Sequence, residues 1–367
     1  MRIMHFLNHT RPNNGHVHVA IDLACVQSKM GHSVSVVSGG GAFDRLLAAY
    51  GVEHVIIDQK RSLPNLMRAV YKLRSTIASI SPDVIHTHMM TSAGLAFILR
   101  KFMKFKLVTT VHNEFEKSAI IMDVGDKVIA VSQAVADSME RRGVRKSKLQ
   151  VVLNGTIGSP RLSSETPQAK TLHRPAITFV GGLHPRKGVD DLIKAFKSVC
   201  AQVPAAHLYL VGEGPYRTAY TELAAQCGVG DRIQFCGSVA DPRPYLLGSD
   251  LFVLASRAEP GALVLPEARE AGCAIIATSV GGIPEMLDGG EAGILVPPGR
   301  ADLLADAIIR VLNDKKLLAD LRARSRMNLK HFTIERAAKE CVTIYGSMLN
   351  SPARGSEDSL PSRIEIR

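Results

Sequence analysis

Two glutamates, Glu259 and Glu267, stand eight positions apart at the ends of the stretch EPGALVLPEA (259–268). The run between them is apolar, with a Gly near its start and a Pro near its end. It leaves LFVLAS, which reads as a strand, and enters EAREAG, which reads as a helix. Pro266 sits near the helix start, where a missing N–H costs nothing. Exposed N–H groups at a helix start make a ready anion site. Carboxylates accept hydrogen bonds from hydroxyls, and the vicinal diols of sugars present two at once. A site for a sugar nucleotide needs both: amides for the phosphates, carboxylates for the ribose and sugar hydroxyls. The plainer alternative is that Glu267 complements the helix dipole and Glu259 is solvated.

Three further groups have chemistry in their spacing. GGLHPRKG (181–188) lies between a strand and a helix and carries Arg186 and Lys187. Cations and amides in such a loop stabilise the charge that develops on a departing nucleoside diphosphate; otherwise the loop is only a basic cap on its strand. NNGHVHVAIDLA (13–24) turns from the first strand into a helix. Its Asn14-Gly15 turn lets backbone approach a phosphate. DVIHTH ends a strand with His86 and His88 on one face, and VTTVHNE ends the next with His112. By count, His86, His88 and His112 could hold a metal. No carboxylate cluster or DxD sequence lies nearby, so no metal and no cofactor are expected. His86 reads as a buried, hydrogen-bonded histidine.

The elements that must position these groups alternate. Short β-branched runs and helical patterns succeed one another from MRIMHFLN to LQVVLNG, and again from AITFVGGL to ADLLADAIIRVLND. Runs apolar on both faces, alternating with helices, imply parallel sheets covered by helices. Between the two series, TIGSPRLSSETPQAKTLHRPA is rich in Ser, Thr and Pro and reads as a linker. The expected architecture is α/β, with two Rossmann-like doubly wound domains facing across a cleft. The boundaries are 1–160 for the first domain, 161–175 for the linker and 176–331 for the second. A helix at 332–350 crosses back, and 351–367 is a disordered tail. Ligands of such sheets sit at the carboxyl ends of the strands.

The 367 residues suffice for two domains with a core each. No apolar run reaches the roughly 18 residues of a membrane span, and the apolar start is too short for a signal peptide. Six scattered cysteines without a CxxC pair argue for reduced thiols in the cytoplasm, against disulfides or zinc. Residues 1–165 hold 21 Lys and Arg against 12 Asp and Glu; the remainder hold 24 against 22. This asymmetry points to an acidic partner surface for the first half, unless it serves solubility alone. AGLAFILRKFMKFK (93–106) mixes apolar and basic residues as a helix lying on anionic lipid would, or as a core helix with a solvated basic end.

The stretch beginning at Glu259 resembles the Glu–seven residues–Glu motif of the GT-B-fold retaining glycosyltransferases, family 4 in particular. There it usually reads E-P-F-G-L-V-L-L-E-A, followed by A-C-G-x-P-V-I-A-T and G-G-x-x-E. The continuation here, EAGCAIIATSVGGIPEMLDGGEAGILVPPG, is similar, and the likeness covers roughly residues 1–350. The resemblance implies that Glu267 holds the donor ribose and that Glu259 faces the donor sugar. It implies that the amides of Gly261, Ala262, Leu263 and Val264 hold the distal phosphate. Gly261 stands where the family has Phe, and Ala262 where it has Gly. GGLHPRKG resembles G-R-L-x-x-x-K-G: Lys187 matches the Lys, Gly182 replaces the Arg, and Arg186 leaves the same loop. His88 aligns with a histidine beside the donor sugar, and His112 falls at the acceptor-side edge. VGEGP (211–215) and RIQFCGSV (232–239) resemble family segments near the base, and NGT (154–156) resembles a hinge N-G-V-D without its Asp.

The resulting expectation is a metal-independent enzyme that moves a hexose from a UDP- or GDP-sugar to an acceptor hydroxyl with retention. Glu259, Lys187 and His88 would act at the reaction centre. Asn14, Gly15, Arg186, Lys187, Glu259, residues 261–264 and Glu267 would bind the donor. The acceptor would be a glycan or a lipid-linked glycan of polysaccharide or lipopolysaccharide assembly. An anionic membrane is a further partner, giving a cytoplasmic protein with peripheral attachment to the inner face of the plasma membrane. Three rivals stay open: a sugar-nucleotide epimerase, a non-catalytic sugar-nucleotide-binding subunit and a nicotinamide dehydrogenase, the last weakened by the lack of GxGxxG after strand one. No nucleic-acid module is visible.

Overall fold

The computed structural model describes residues 1–350 apart from 13, 60, 61 and 164; the expected disordered tail lies outside the described residues. The first domain runs β1 (Arg2–Phe6), α1 (Gly15–Lys29), β2 (Ser33–Ser38), α2 (Asp44–Ala49), β3 (Glu53–Ile56), α3 (Leu63–Ile80), β4 (Val84–Thr87), α4 (Met90–Arg100), β5 (Lys106–Val111), β6 (Lys127–Ala130), α5 (Gln133–Arg141) and β7 (Leu149–Val151). All seven strands are parallel, in the order β3-β2-β1-β4-β5-β6-β7. β4 is buried along its whole length and β1 from Ile3 onward, because helices cover both faces of a parallel sheet.

The second domain repeats the plan. It runs β8 (Ala176–Val180), α6 (Val189–Gln202), β9 (His207–Val211), α7 (Arg217–Gln226), β10 (Ile233–Gly237), α8 (Arg243–Gly248), β11 (Leu251–Leu254), α9 (Val264–Ala271), β12 (Ala274–Thr278), α10 (Ile283–Met286), β13 (Ile294–Val296), α11 (Ala301–Asn313) and α12 (Lys315–Ser325). Its sheet is β10-β9-β8-β11-β12-β13, again parallel. In both sheets the order reverses beside the first strand, between β1 and β4 and between β8 and β11. Loops diverge at such a point and leave a crevice at the carboxyl ends. The loops after β1, β5, β8 and β11 meet there.

The last helix, α13 (Ile334–Leu349), packs on α1 and adds Ile334, Ala337, Ala338, Cys341, Tyr345 and Met348 to the first domain's core. Two chain segments therefore cross between the domains, and they are bonded to each other. The N–H groups of Thr156 and Ile157 both donate to the Phe332 carbonyl, at 3.0 and 3.1 Å, and Ile334 N–H donates to the Ile157 carbonyl at 3.0 Å.

The structure adds elements that hydrophobic patterning misses. β3 is a short edge strand with no buried residue, and α2 buries only Leu47. α12 buries only Leu321 and Ser325 and is fixed at its start by the Asp314 carboxylate, which accepts from the N–H groups of Lys316 and Leu317. The Ser/Thr/Pro-rich segment carries no strand or helix between Val151 and Ala176 among its described residues. Its first part is nevertheless anchored. Arg161 reaches α1 and binds the buried Asp22 carboxylate through Nε and Nη2, both at 2.9 Å, and the Ser159 hydroxyl donates to the same carboxylate at 2.9 Å. Side-chain exposure is 9% for Arg161 and 1% for Asp22. Removing one partner of a buried pair leaves the other charge uncompensated. Asp22→Ala is expected to cost about 3 kcal/mol or more, read as a lower urea midpoint at unchanged slope; an unchanged midpoint would show that water replaces the carboxylate.

Candidate active site

The crevice between the domains encloses about 650 Å³. Its second-domain wall is built by the loop from Ser256 to Leu263, which joins β11 to α9. The carbonyls of this loop are engaged by the protein. Ser132, at the start of α5, donates its hydroxyl to the Pro260 carbonyl at 2.6 Å. Asn154 donates its amide to the Gly261 carbonyl at 3.1 Å, and the Thr156 hydroxyl donates to the Leu263 carbonyl at 3.3 Å. The N–H groups of Gly261, Ala262 and Leu263 have no acceptor among the described residues. With the open first turn of α9 they form one bank of donors facing the crevice.

Two glycines fix the loop from behind. Gly282 N–H donates to the Glu259 carbonyl at 2.9 Å. A Cβ on Gly281, whose φ is +53°, would lie 1.9 Å from that carbonyl oxygen. Only glycine fits such an approach, which is why the GG of SVGGIPE accompanies the Glu259 loop. Glu285 of the same segment accepts from the Gln133 N–H at 2.8 Å, tying it to the first domain. At Gly261, the departure from the family pattern, a Cβ would press to 3.0 Å on the Asn154 amide and 3.3 Å on Val131.

Lys187 and Arg186 stand on a short 3₁₀ turn, Pro185–Lys187, after β8. Lys187 Nζ forms an ion pair with the Glu259 carboxylate. Arg186 Nη1 lies 3.6 Å from the same oxygen and donates to the Ala258 carbonyl at 2.9 Å, and the Ser256 hydroxyl donates to that oxygen at 3.2 Å. Arg186 also lies over the Phe115 ring of the first domain, 5.4 Å from its centroid. Glu259 is only 5% exposed, so this cluster carries its charge. The two cations sit at the mouth of the donor bank.

Glu267 differs. It lies in the first turn of α9, half-buried in the crevice wall, and its carboxylate accepts no hydrogen bond among the described residues. Burial raises its pKa from about 4.5 to about 7, against the pull of Arg161. An unpaired carboxylate in this position is ready to receive hydroxyl donors.

On the first-domain side, Asn14, Gly15 and His112 line the crevice, with His16, His18, Asn154 and Arg161 beside them. His16 and His18 lie in the 13–24 turn and Asn154 in the segment read as a hinge, but none of the three was named as a site residue, and Arg161 sits in a segment read as linker. His88 is placed differently from the expectation of a histidine beside the sugar. It is 3% exposed and lies behind His112, which stands between it and the crevice. The reason is strand geometry: Thr87 ends β4 and Val111 ends β5, and the register sets the β5 loop further out. His86 is buried with both ring nitrogens bonded, Nδ1 to the Tyr345 hydroxyl and Nε2 to the Thr110 hydroxyl, each at 2.6 Å. His5, on β1 beside His86, joins His86 and His88 in a cluster whose nearest nitrogens lie within 4.8 Å. Hydrogen bonds occupy the His5 and His88 nitrogens too.

The sign of the Glu267 effect on stability follows from its raised pKa. The folded state binds an extra proton between about pH 4.5 and 7, so the charged carboxylate destabilises the fold above pH 7 and costs nothing below about pH 4.5. Glu267→Gln is expected to raise the melting temperature at pH 8, to leave it unchanged at pH 4, and to weaken nucleotide-sugar binding. An equal rise at both pH values would mean that the gain has another source.

The family profile Glycosyltransferase Family 4 matches residues 13–156, and Glycosyl transferases group 1 matches 163–328. The N-acetyl-alpha-D-glucosaminyl L-malate synthase of Bacillus anthracis is 28% identical over 295 residues, 74% of this chain and 77% of that one. A lipopolysaccharide core biosynthesis glycosyltransferase of Rhizobium meliloti is 28% identical over 223 residues, 59% of this chain and 62% of that one. In fold, the chain is similar to Anabaena Alr3699/HepE solved with UDP and glucose, with a TM-score of 0.82 at 21% identity, covering 95% of this chain and 100% of that one. Two parallel sheets with a shared crevice, and a profile match on each, place the chain among the family 4 glycosyltransferases of the GT-B fold.

Proposed function

We propose that this glycosyltransferase moves a hexose from a nucleoside diphosphate sugar to an acceptor hydroxyl, with retention and without a metal. The observation that carries the reading is the convergence, on one wall, of unpaired N–H groups at 261–263, the Lys187–Arg186 cations and the unpaired Glu267 carboxylate. A diphosphate fits the first two and a ribose diol fits the third. The UDP in the Anabaena structure supports a uridine nucleotide.

In this reading the anomeric carbon–phosphate oxygen bond breaks, and its electron pair stays on the diphosphate. Lys187, Arg186 and the loop amides stabilise that charge. The acceptor oxygen bonds to the anomeric carbon from the same face, and its proton passes to the departing phosphate oxygen. Glu259, held by Lys187 and Ser256, orients the sugar, with His112 on the opposite wall. Lys187 and Arg186 supply in this reading the charge that a divalent ion would otherwise supply. Closure of the domains excludes water, which would hydrolyse the donor.

The acceptor side suits a lipid-linked glycan of cell-surface polysaccharide or lipopolysaccharide assembly, a reading supported by the Rhizobium meliloti relative. No helix among the described residues is long and apolar enough to cross a membrane. α4 buries Ser92, Ala93, Leu95, Ala96 and Leu99 and turns Phe97 and Ile98 outward, with Phe102 just beyond it 77% exposed beside Lys101 and Lys104. Met67 and Tyr71 of α3, a helix in contact with α4, are exposed as well. An apolar patch edged by lysines fits an anionic lipid surface.

The direct test supplies UDP-, GDP- and ADP-sugars with EDTA and reads released nucleoside diphosphate. One donor should be turned over slowly, and Lys187→Ala should lower the rate by about 10²- to 10³-fold. Proton NMR of the glycoside formed on adding membrane extract should show the donor's anomeric configuration. Binding without release, even with that extract, would favour a non-catalytic subunit. For the membrane, flotation with phosphatidylglycerol vesicles should exceed that with phosphatidylcholine and fall with salt. Lys101→Ser with Lys104→Ser should remove about 1 kcal/mol per charge. Equal flotation on both lipids would refute the electrostatic contact.

A further inference from the structure

Behind the crevice runs an unbroken line of side chains. Gln27, on the buried face of α1, meets His5 Nε2 through its amide oxygen at 2.8 Å. His5 Nδ1 meets His88 Nε2 at 2.9 Å, and His88 Nδ1 meets His112 Nε2 at 3.0 Å. Gln27 and His5 are fully buried, His88 is 3% exposed, and His112 reaches the crevice. The remaining nitrogen, His112 Nδ1, has no partner among the described residues. The three histidines come from β1 and from the ends of β4 and β5, so three adjacent strands supply the line.

The chemistry of the line leaves little freedom. Burial lowers the pKa of His5 to about 4 and of His112 to about 3, and pushes His88 well below its usual range. The ionisable groups around them are histidines, His86 and His16, and the Tyr345 phenol; among the described residues no carboxylate is hydrogen-bonded to the line. Each imidazole is neutral and carries one N–H and one lone pair. Neutral imidazoles in series must then all point the same way. The Gln27 amide oxygen can only accept, so His5 donates from Nε2 and accepts at Nδ1. His88 repeats the pattern, and so does His112. The far end is anchored as well: Gln27 Nε2 donates to the Tyr345 hydroxyl at 3.4 Å, and that hydroxyl meets His86 Nδ1 at 2.6 Å.

We propose that Gln27, His5 and His88 are positioning residues that fix the tautomer of His112, so that Nδ1 presents a lone pair to a hydroxyl of the bound substrates. The inference rests on the glycosyl-transfer reading for its consequence, but the tautomer itself does not. An Nδ1 lone pair accepts a hydroxyl proton and aligns that oxygen; an Nδ1–H in its place would compete as a donor and turn the hydroxyl away. The effect therefore falls on the orientation of a bound sugar or acceptor rather than on the grip on diphosphate, which lies on the other wall.

The tautomer is read by long-range proton–nitrogen NMR of the full chain labelled with ¹⁵N-histidine, with His112→Asn assigning the signals. Wild-type protein should show His112 protonated on Nε2. In Gln27→Leu and in His88→Leu the line is cut, and His112 should shift toward a mixture with the Nδ1–H form. In the donor assay, each variant should lose about one to two orders of magnitude in kcat, as loss of an orienting partner of a histidine does, with KM for the donor unchanged. His88→Gln, which keeps one donor and one acceptor, should restore part of the rate. Unfolding midpoints identify any variant whose fold is lost, and Gln27→Met, which removes the amide that meets His5 at nearly the same volume, then stands in for it. An unshifted His112 tautomer in both cut variants would overturn the proposal. So would a shifted tautomer with unchanged kcat. A wild-type chain that releases no nucleotide from any donor would instead sink the glycosyl-transfer reading, while the NMR result would still decide whether the relay sets the tautomer.

Discussion

A backbone loop offers a ligand only those groups that the protein itself has not engaged. In the loop from Ser256 to Leu263, the three carbonyls of Pro260, Gly261 and Leu263 are taken by Ser132, Asn154 and Thr156. What is left facing the crevice is a row of N–H groups, continued by the first turn of α9. The donor character of the wall thus arises from hydrogen bonds made on its back. The remainder of the site is arranged around that row. Gly281 and Gly282 hold the loop at a distance no side chain would allow, and the Lys187–Arg186 turn places positive charge at its edge. Glu267 sits one helical turn further along.

Much of this was legible in the sequence because it is local. The order of strand, loop and helix can be read from hydrophobic patterning, and at a carboxyl end of a parallel sheet a loop has one place to go. The residues at 14–15, 186–187, 259, 261–264 and 267, named from these loops and from the family resemblance, all line the crevice, as does His112. The lost Arg at Gly182 left a question about charge; the structure brings Arg186 to within 3.6 Å of the Glu259 carboxylate.

What was not legible depends on neighbours distant in sequence. Asp22 and Gln27 are polar residues on an otherwise apolar, buried helix, and His5 is a polar residue inside a buried strand. Each was a signal of a partner elsewhere, but no spacing says that the partners are Arg161, Tyr345 and His88. Arg161 lies in a Ser/Pro-rich stretch whose composition suggests freedom, and one buried carboxylate removes that freedom. His88 was misplaced for a similar reason. Period-two alternation gives the face of a strand, while depth behind the surface depends on how far the next strand extends.

Hydrogen bonds that brace the 256–263 loop and the segment behind it cross the gap between domains. Ser132 to Pro260 and Gln133 to Glu285 both join α5 of the first domain to the second. Separating the domains about the paired segments at 156–157 and 332–334 pulls these bonds apart. The Pro260 carbonyl is then freed beside the loop's N–H groups. The shape of the donor wall is therefore conditional on contact between the domains: the second domain by itself holds the order of its strands but not the pattern of occupied carbonyls in this loop.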